Sequence, residues 1–129
     1  METKLIIDNT QKVAAGGGTF ERRHPMSGDV VTRAAAATVA DAIAAADSAE
    51  MAFKTWSTTG PTERRRILLA AADRLEAKAP EFIAVMAKEI GASELWAGLN
   101  VMLAANLFRE AASLATQIQG ETIPTDKPG

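Results

Sequence analysis

The chain contains 129 residues, carries a formal net charge of −2 at pH 7, and has one histidine and no cysteine. Without cysteine, these residues cannot form a disulfide, a thiolate metal site or a cysteine nucleophile, and one histidine cannot build a multi-histidine metal site. The balanced charge provides no basic field for nucleic acid or an anionic membrane, and no apolar run has the length of a membrane span. Because the N-terminus also lacks a signal-peptide pattern, we expect a cytoplasmic protein that binds neither nucleic acid nor membrane.

The first part of the chain, residues 1–37, mixes short β-type runs with turn residues. Because small strand arrangements are not stable alone, we expect a short antiparallel set that depends on other elements for its stability. The triple glycine at residues 16–18 disfavours any regular element and predicts a turn. The predicted strands are residues 4–8, 12–13, 19–23 and 30–34.

Residues 38–119 show helical patterns almost throughout and predict three to four helices. Thr38 and Asp41 have the spacing of a capping box at the start of the first helix. Pro61 suits the first position of the second helix, and Pro80 predicts a break in the run that follows. The predicted buried face of the second helix comprises Ile67, Leu68, Ala71 and Leu75.

The last predicted helix follows a short one closed by Gly91, and it extends from a cap at Ser93 to a stop at Gly120. Large apolar residues occupy nearly every face of it, and its only charged residues are Glu94, Arg109 and Glu110. A helix that is apolar all round is buried on several sides, and the earlier helices can cover only one or two of them. We therefore expect further structure to pack against this helix, and we expect residues 120–129 to form an exposed connector.

Several features invite a functional interpretation, but each has a simpler structural explanation. The glycines at 16–18 lack the following lysine and the strand-to-helix context of a phosphate-binding loop. The run Arg64–Arg66 has acidic neighbours, and it predicts a solvated helix face rather than an anion-binding patch. His24 precedes a proline and has no nucleophile nearby, so it predicts an extended turn residue rather than a general base.

Trp96, Asn100 and Leu103 share one face of the last helix. The indole supplies flat apolar area and the amide supplies a polar handle, so with the leucine they can line a pocket for an aromatic ligand. The alternative is core packing, which is the more frequent reason for a stripe at helical spacing. The residues alone leave both interpretations open.

Between Lys4 and Pro124 the chain contains, in this order, FERRHPMSGDVV, AAATVADAIAAADSAEMAFKTWSTTGPTERRRILLAAADRLE, AKEIGAS and FREAASLATQIQGETIP. The order and spacing of these segments resemble the N-terminal portion of the NAD(P)-dependent aldehyde dehydrogenase superfamily. More narrowly, the segments TFERRHP, ELWAGLNV and FREAA look like bacterial aromatic-aldehyde dehydrogenases such as salicylaldehyde dehydrogenases. One departure is His24–Pro25, where the family commonly has Asn–Pro. GETIP resembles the family's exit from its third helix, and the residues that resemble its first two helices are Ala52, Phe53, Trp56, Pro61, Glu63, Arg64, Ile67 and Leu68.

The resemblance implies a mainly α fold with short N-terminal antiparallel strands, which forms the N-terminal fragment of the α/β aldehyde dehydrogenase fold. It implies a parent enzyme that oxidises an aromatic aldehyde to the carboxylate with NAD or NADP, as a homo-oligomer (dimer or tetramer). The catalytic and cofactor-binding residues of the family are expected outside residues 1–129, so no catalytic, cofactor-binding or metal-binding residue is expected within them. The chain alone is then inactive, its partner is the remainder of the dehydrogenase, and residues 120–129 lead toward the missing cofactor-binding region.

The resemblance also implies that the last helix borders the substrate tunnel. Trp96, Asn100 and Leu103 are then expected to face the aldehyde, with Leu99 and Leu107 as weaker neighbours. The alternative function is a self-contained, non-catalytic helical interaction module whose last helix docks a partner. A reading frame that continues into further dehydrogenase sequence favours the first function, and a stop codon favours the second.

Overall fold

The computed structural model describes residues 1–124 and residue 126, and within them it contains five short strands followed by four helices. Residues 125 and 127–129 of the predicted connector lie outside the described residues. The strands are β1 (Glu2–Thr3), β2 (Leu5–Ile7), β3 (Thr10–Lys12), β4 (Thr19–Arg23) and β5 (Val30–Ala35). The helices are α1 (Val39–Trp56), α2 (Pro61–Ala77), α3 (Ala79–Ile90) and α4 (Glu94–Leu114). The predicted fold class, mainly α with short N-terminal strands, is confirmed.

The N-terminal strands form two small sheets. β2 and β3 pair antiparallel around Asp8 and Asn9, whose φ angles of 55° and 54° suit a two-residue hairpin turn. β4 and β5 also pair antiparallel, as predicted. β1, which the sequence analysis did not predict, pairs parallel with the other edge of β5, so the order of this sheet is β1-β5-β4.

The predicted capping box begins α1. Thr38 Oγ1 accepts a hydrogen bond from the Asp41 amide at 3.4 Å, and the Asp41 carboxylate accepts one from the Thr38 amide at 2.8 Å. The same carboxylate accepts hydrogen bonds from Thr38 Oγ1 and from the Ala15 amide, which ties the glycine-containing turn to the helix. These donors, with the Thr38 amide the strongest, lower the pKa of Asp41 because they favour the charged carboxylate.

Proline and glycine divide the later helices where predicted. α2 ends before Lys78, which has a non-helical φ of −96° and ψ of 8°, and Pro80 lies in the first turn of α3. Gly91 follows α3 in the left-handed conformation, with a φ of 66°. A Cβ at Gly91 would also lie 3.0 Å from Pro25 Cγ, so glycine is required at this corner for its backbone angle and for the close approach of another turn.

The last helix is shorter than predicted. α4 begins after the predicted cap, Ser93, but it ends at Leu114 instead of continuing to Gly120. A 3₁₀ turn, Ala115–Gln117, follows it, and tightening of the final turn is common at helix C-termini because it satisfies free carbonyls. Residues 118–124 form neither helix nor strand.

The buried face of α4 consists of small residues and packs against α2 and α3. Its members are Ala97, Val101, Ala105 and Ala112. On α2 the buried residue is Ala72, whereas Ile67, which the sequence analysis predicted to be buried, is 37% exposed. Leu68, Ala71 and Leu75 are half-buried. The prediction for α2 is therefore partly wrong, because α4 approaches through small side chains and the larger α2 side chains lie at the margins.

Large apolar side chains remain exposed on all four helices of the described chain, and most of them lie on α4 and α1. On α4 they include Leu95, Trp96, Met102, Leu103 and Leu107, and on α1 they include Ile43, Met51 and Phe53. The expectation that the earlier helices cover only part of the last helix is confirmed. In the described residues, α4 is buried on one side only.

Candidate functional site

The three predicted pocket residues lie together on an exposed stripe of α4. Trp96 is 56% exposed and Leu103 is 50% exposed, while Asn100 between them is half-buried. Leu107, one turn beyond Leu103, continues the stripe. We call Trp96, Asn100, Leu103 and Leu107 the Trp96 stripe. Leu99, the other predicted neighbour, lies at its margin and is 36% exposed.

The start of α4 sets which residues face outward. Ser93 Oγ accepts a hydrogen bond from the Trp96 amide at 3.3 Å, and the Ser93 carbonyl accepts one from the Ala97 amide at 2.9 Å. Ala97 then faces inward and is fully buried, so the indole of Trp96, one residue earlier, lies on another side of the helix. The residues of the Trp96 stripe align because positions three or four apart share one side of a helix, and this side is turned away from the buried face.

Asn100 makes a specific contact within the stripe. Its Nδ2 donates a hydrogen bond to the Trp96 carbonyl at 2.8 Å. This contact bends the amide back along the helix toward the preceding turn and fixes its orientation. The stripe therefore presents an indole face, two leucine side chains and one oriented amide, which is a suitable surface for an aromatic ligand with a polar substituent.

An ion-pair cluster fixes α4 against α2. The Arg109 guanidinium donates to both oxygens of Glu76 at 2.7 Å and to Asp73 at 3.1 Å. The bidentate hydrogen bond from Arg109 lowers the pKa of Glu76, because it stabilises the ionised carboxylate. This cluster was not predicted from the sequence, although Arg109 is the only basic residue of α4 and both acids lie one turn apart on α2. That pattern is the signal that could have revealed it.

His24 is a turn residue, as predicted. Its Nδ1 accepts hydrogen bonds from the amides of Met26 and Ser27, both at 3.2 Å. Its own amide donates to the Asp29 carbonyl at 2.9 Å. The imidazole therefore caps the turn in the way that an asparagine side chain does, by accepting from the amides that follow it.

The glycines at 16–18 form a turn between two strands, β3 and β4. Gly17 has a φ of 65°, and its amide donates to the Ala14 carbonyl at 2.8 Å. The neighbouring Ala15 amide is already bound by the carboxylate of Asp41. A dinucleotide or phosphate loop instead leads from a strand into a helix and leaves its amides free for the ligand. This turn does not fit a nicotinamide cofactor.

Arg64 departs from the prediction of a solvated helix face. Its Nε donates to the Thr59 carbonyl at 2.8 Å, and a terminal nitrogen donates to the Trp56 carbonyl at 3.0 Å. The guanidinium also lies 5.0 Å from the centre of the Trp56 ring, a distance at which cation–π attraction operates. Arg64 therefore holds the end of α1 to the start of α2. Arg66, in contrast, is exposed and pairs with Glu63, as the prediction requires.

A separate groove of about 510 Å³ lies where α2, α3 and α4 meet, and the Trp96 stripe does not contribute to it. It is lined by Ile67, Ala70, Ala71, Leu75, Phe82 and Phe108, together with Arg66, Arg74 and Lys78. The sequence analysis did not predict this groove. Two of its three basic residues are paired, Arg66 with Glu63 and Lys78 with Glu81, which reduces the positive charge available to an anion.

Two features are absent from the described residues. Residues 1–124 and 126 contain no group of three or more histidine, cysteine or acidic residues placed to hold a metal ion. Among the helices in that range, none combines the length and apolar character needed to cross a bilayer.

Comparison with known proteins gives a consistent result. Residues 12–129 match the sequence profile described as "Aldehyde dehydrogenase family". The chain is 65% identical over 127 residues to salicylaldehyde dehydrogenase of Pseudomonas putida, an alignment that covers 98% of this chain and 26% of the relative. It is 50% identical over 129 residues to vanillin dehydrogenase of Pseudomonas fluorescens, covering 100% of this chain and 27% of that protein.

A solved structure gives the same relationship in three dimensions. The fold superposes with a TM-score of 0.93 on the crystal structure of a salicylaldehyde dehydrogenase from Pseudomonas putida G7 complexed with salicylaldehyde. The two sequences are 64% identical, and the match covers 98% of this chain and 26% of that one. The chain thus spans about a quarter of the length of the relatives that it matches.

Proposed function

We propose a function for this chain from one premise, which is that it belongs to the aldehyde dehydrogenase family. It corresponds to the N-terminal segment of such an enzyme and is close in sequence to salicylaldehyde dehydrogenase. The parent enzyme oxidises an aromatic aldehyde, with the balance aldehyde + NAD(P)⁺ + H₂O → carboxylate + NAD(P)H + 2 H⁺. The 65% identity to an enzyme named for an aromatic aldehyde supports this substrate class.

The chain supplies scaffold and one wall of the aldehyde-binding tunnel. The observation that carries this role is the Trp96 stripe, whose large side chains are exposed although the opposite face of the same helix is buried. Trp96 provides a flat apolar surface for the aromatic ring, and Leu103 extends that surface and excludes water from the aldehyde. Arg109 fixes the rotation of α4 on α2, which keeps the stripe directed at the ligand.

The cofactor and the reacting groups belong to parts of the parent that this chain does not span. The glycine turn at 16–18 does not fit a dinucleotide, so its residues do not contact the cofactor. When bound elsewhere in the parent, the nicotinamide supplies the hydride acceptor. The residues of this chain bind and orient the aldehyde.

A chimeric enzyme tests this proposal. In it, this chain replaces the 127 aligned residues of the Pseudomonas putida salicylaldehyde dehydrogenase. We expect the chimera to oxidise salicylaldehyde with formation of NADH, and we expect the isolated chain to produce none from benzaldehyde and NAD⁺. A folded chimera without activity, or sustained NADH production by the isolated chain, contradicts the proposal.

Trp96→Ala in the chimera tests the tunnel wall directly. Loss of the indole removes apolar contact with the aromatic ring, so we expect KM for salicylaldehyde to rise about tenfold (~1.4 kcal/mol). Leu95→Ala is the matched control, because Leu95 is exposed on the same turn but lies outside the Trp96 stripe. Equal changes in KM for the two variants argue against a wall formed by this stripe.

A further inference from the structure

The orientation of the Asn100 amide carries a further inference, which rests on the proposed tunnel wall. The side-chain atom of Asn100 that lies 2.8 Å from the Trp96 carbonyl oxygen must be Nδ2. Oδ1 cannot take this position, because Oδ1 and the Trp96 carbonyl oxygen are both acceptors and neither carries a hydrogen to donate. One of the two N–H donors of Asn100 is therefore engaged within the helix, and Oδ1 is its acceptor atom. Its acceptor end, Oδ1, receives no hydrogen bond from any group of residues 1–124 or 126.

We propose that Asn100 Oδ1 accepts a hydrogen bond from a ring hydroxyl of the aldehyde. This contact makes Asn100 a specificity-determining residue that favours hydroxylated over unsubstituted aromatic aldehydes. A free acceptor between an indole and a leucine matches a flat apolar ring that carries one hydroxyl donor. Once the parent enzyme covers the stripe, an aldehyde without the hydroxyl leaves this acceptor unpaired, which is where the discrimination arises.

The named substrates of two of the related enzymes agree with this assignment. Salicylaldehyde and vanillin, for which two relatives are named, both carry a phenolic hydroxyl, whereas benzaldehyde carries none. The hydroxyls occupy different ring positions in these two aldehydes. The ortho hydroxyl of salicylaldehyde can also donate to its own aldehyde oxygen, so the meta and para isomers are needed to separate ring position from hydrogen-bonding capacity.

The test compares kcat/KM of the chimera for benzaldehyde and for its ortho, meta and para hydroxy derivatives. With Asn100→Leu, we expect the preference of the favoured hydroxy isomer over benzaldehyde to fall about tenfold, because the new side chain cannot accept a hydrogen bond. With Asn100→Gln, which keeps an amide with both a donor and an acceptor, we expect that preference to persist in part. Asn106→Leu is the control, since Asn106 is an exposed asparagine of α4 outside the Trp96 stripe.

The outcomes separate the two proposals. If Asn100→Leu, in a chimera whose thermal melt is unchanged, alters kcat/KM for all four aldehydes by the same factor, the specificity role is overturned. If Asn100→Leu lowers the melt, complete loss of the hydroxy preference in Asn100→Gln as well overturns the specificity role. If Trp96→Ala also leaves KM unchanged, the proposal that this stripe forms a tunnel wall is contradicted. If Trp96→Ala raises KM but the hydroxy preference is unchanged in both Asn100 variants, only the specificity role is contradicted.

Discussion

The helices α1 and α4 have similar lengths, 18 and 21 residues, but are held to the rest of the chain in different ways. α4 buries four small residues along its length and is further fixed by Arg109. α1 buries only one residue, Asp41. Apart from a small contact with β2, it is held at its two ends by polar contacts, to Ala15 at the start and to Arg64 at the end. Burial along a whole helix couples it to the global fold, whereas contacts at the ends restrain it locally.

The largest effect is expected from overpacking the buried face of α4. Ala105 is 0% exposed, so Ala105→Leu forces α4 away from its neighbours and costs about 1–3 kcal/mol. Urea unfolding of the chimera measures the loss. Ala111→Leu is the control, because Ala111 is exposed on the same helix, and we expect little change from it. If the two substitutions destabilise the chimera equally, α4 is not fixed by its small-residue face.

A smaller and local effect is expected at the start of α1. Asp41→Asn weakens the capping box and the link to Ala15, so we expect faster amide hydrogen exchange in the first turn of α1 and unchanged exchange in α4. Asp47→Asn, on the exposed face of the same helix, is the control. Faster exchange throughout α4 would show that α1 is coupled to the global fold after all.

Acid should reproduce the effect of Asp41→Asn. The pKa of Asp41 is lower in the folded chain than in the unfolded chain, so its stabilisation is fully present above the ordinary aspartate pKa of about 3.9. It is lost as the pH falls below that value toward the lower folded pKa, since the carboxylate takes up a proton there. Hydrogen exchange of α1 measured across this pH range should show the loss in the unsubstituted chimera and not in Asp41→Asn.

The smallest effect is expected at the His24 turn, which belongs to neither helix. His24→Ala removes an acceptor from two exposed amides and should cost no more than about 1 kcal/mol, because water replaces it. His24→Asn keeps an acceptor oxygen and should restore most of the loss in a thermal melt. An asparagine variant as unstable as the alanine variant would show that the imidazole acts through packing instead.

The local features of the fold were predictable because each depends on neighbours in the sequence. The capping box at Thr38, the break before Pro80 and the left-handed Gly91 follow from backbone geometry that particular residue types favour. The face shared by Trp96 and Asn100 also follows from helical spacing alone. The family resemblance rested on the order of such segments, and the sequence profile confirms it.

The remaining features depend on tertiary contacts that periodicity does not contain. Periodicity assigned the larger residues of α2 to the core, but the close approach of α4 selects Ala72 instead. The parallel pairing of β1 depends on where β5 returns to lie beside the N-terminal strand. The role of Arg64 depends on how α1 and α2 meet at Trp56. The hydrogen bond that orients Asn100 is visible only in the three-dimensional structure, because residue spacing does not show which end of the amide faces the Trp96 carbonyl.

The alanines of the buried α4 face also affect the entropy of folding. Alanine has no side-chain rotamers to lose, so burying Ala97, Ala105 and Ala112 against the neighbouring helices carries almost no side-chain entropy cost. The leucines of the same helix, which would each lose about 0.5–1 kcal/mol of rotamer freedom on burial, remain exposed in the described chain. The folding of this segment therefore leaves the rotamers of Leu103 and Leu107 free, and their ordering is a cost of whatever contact later covers the Trp96 stripe.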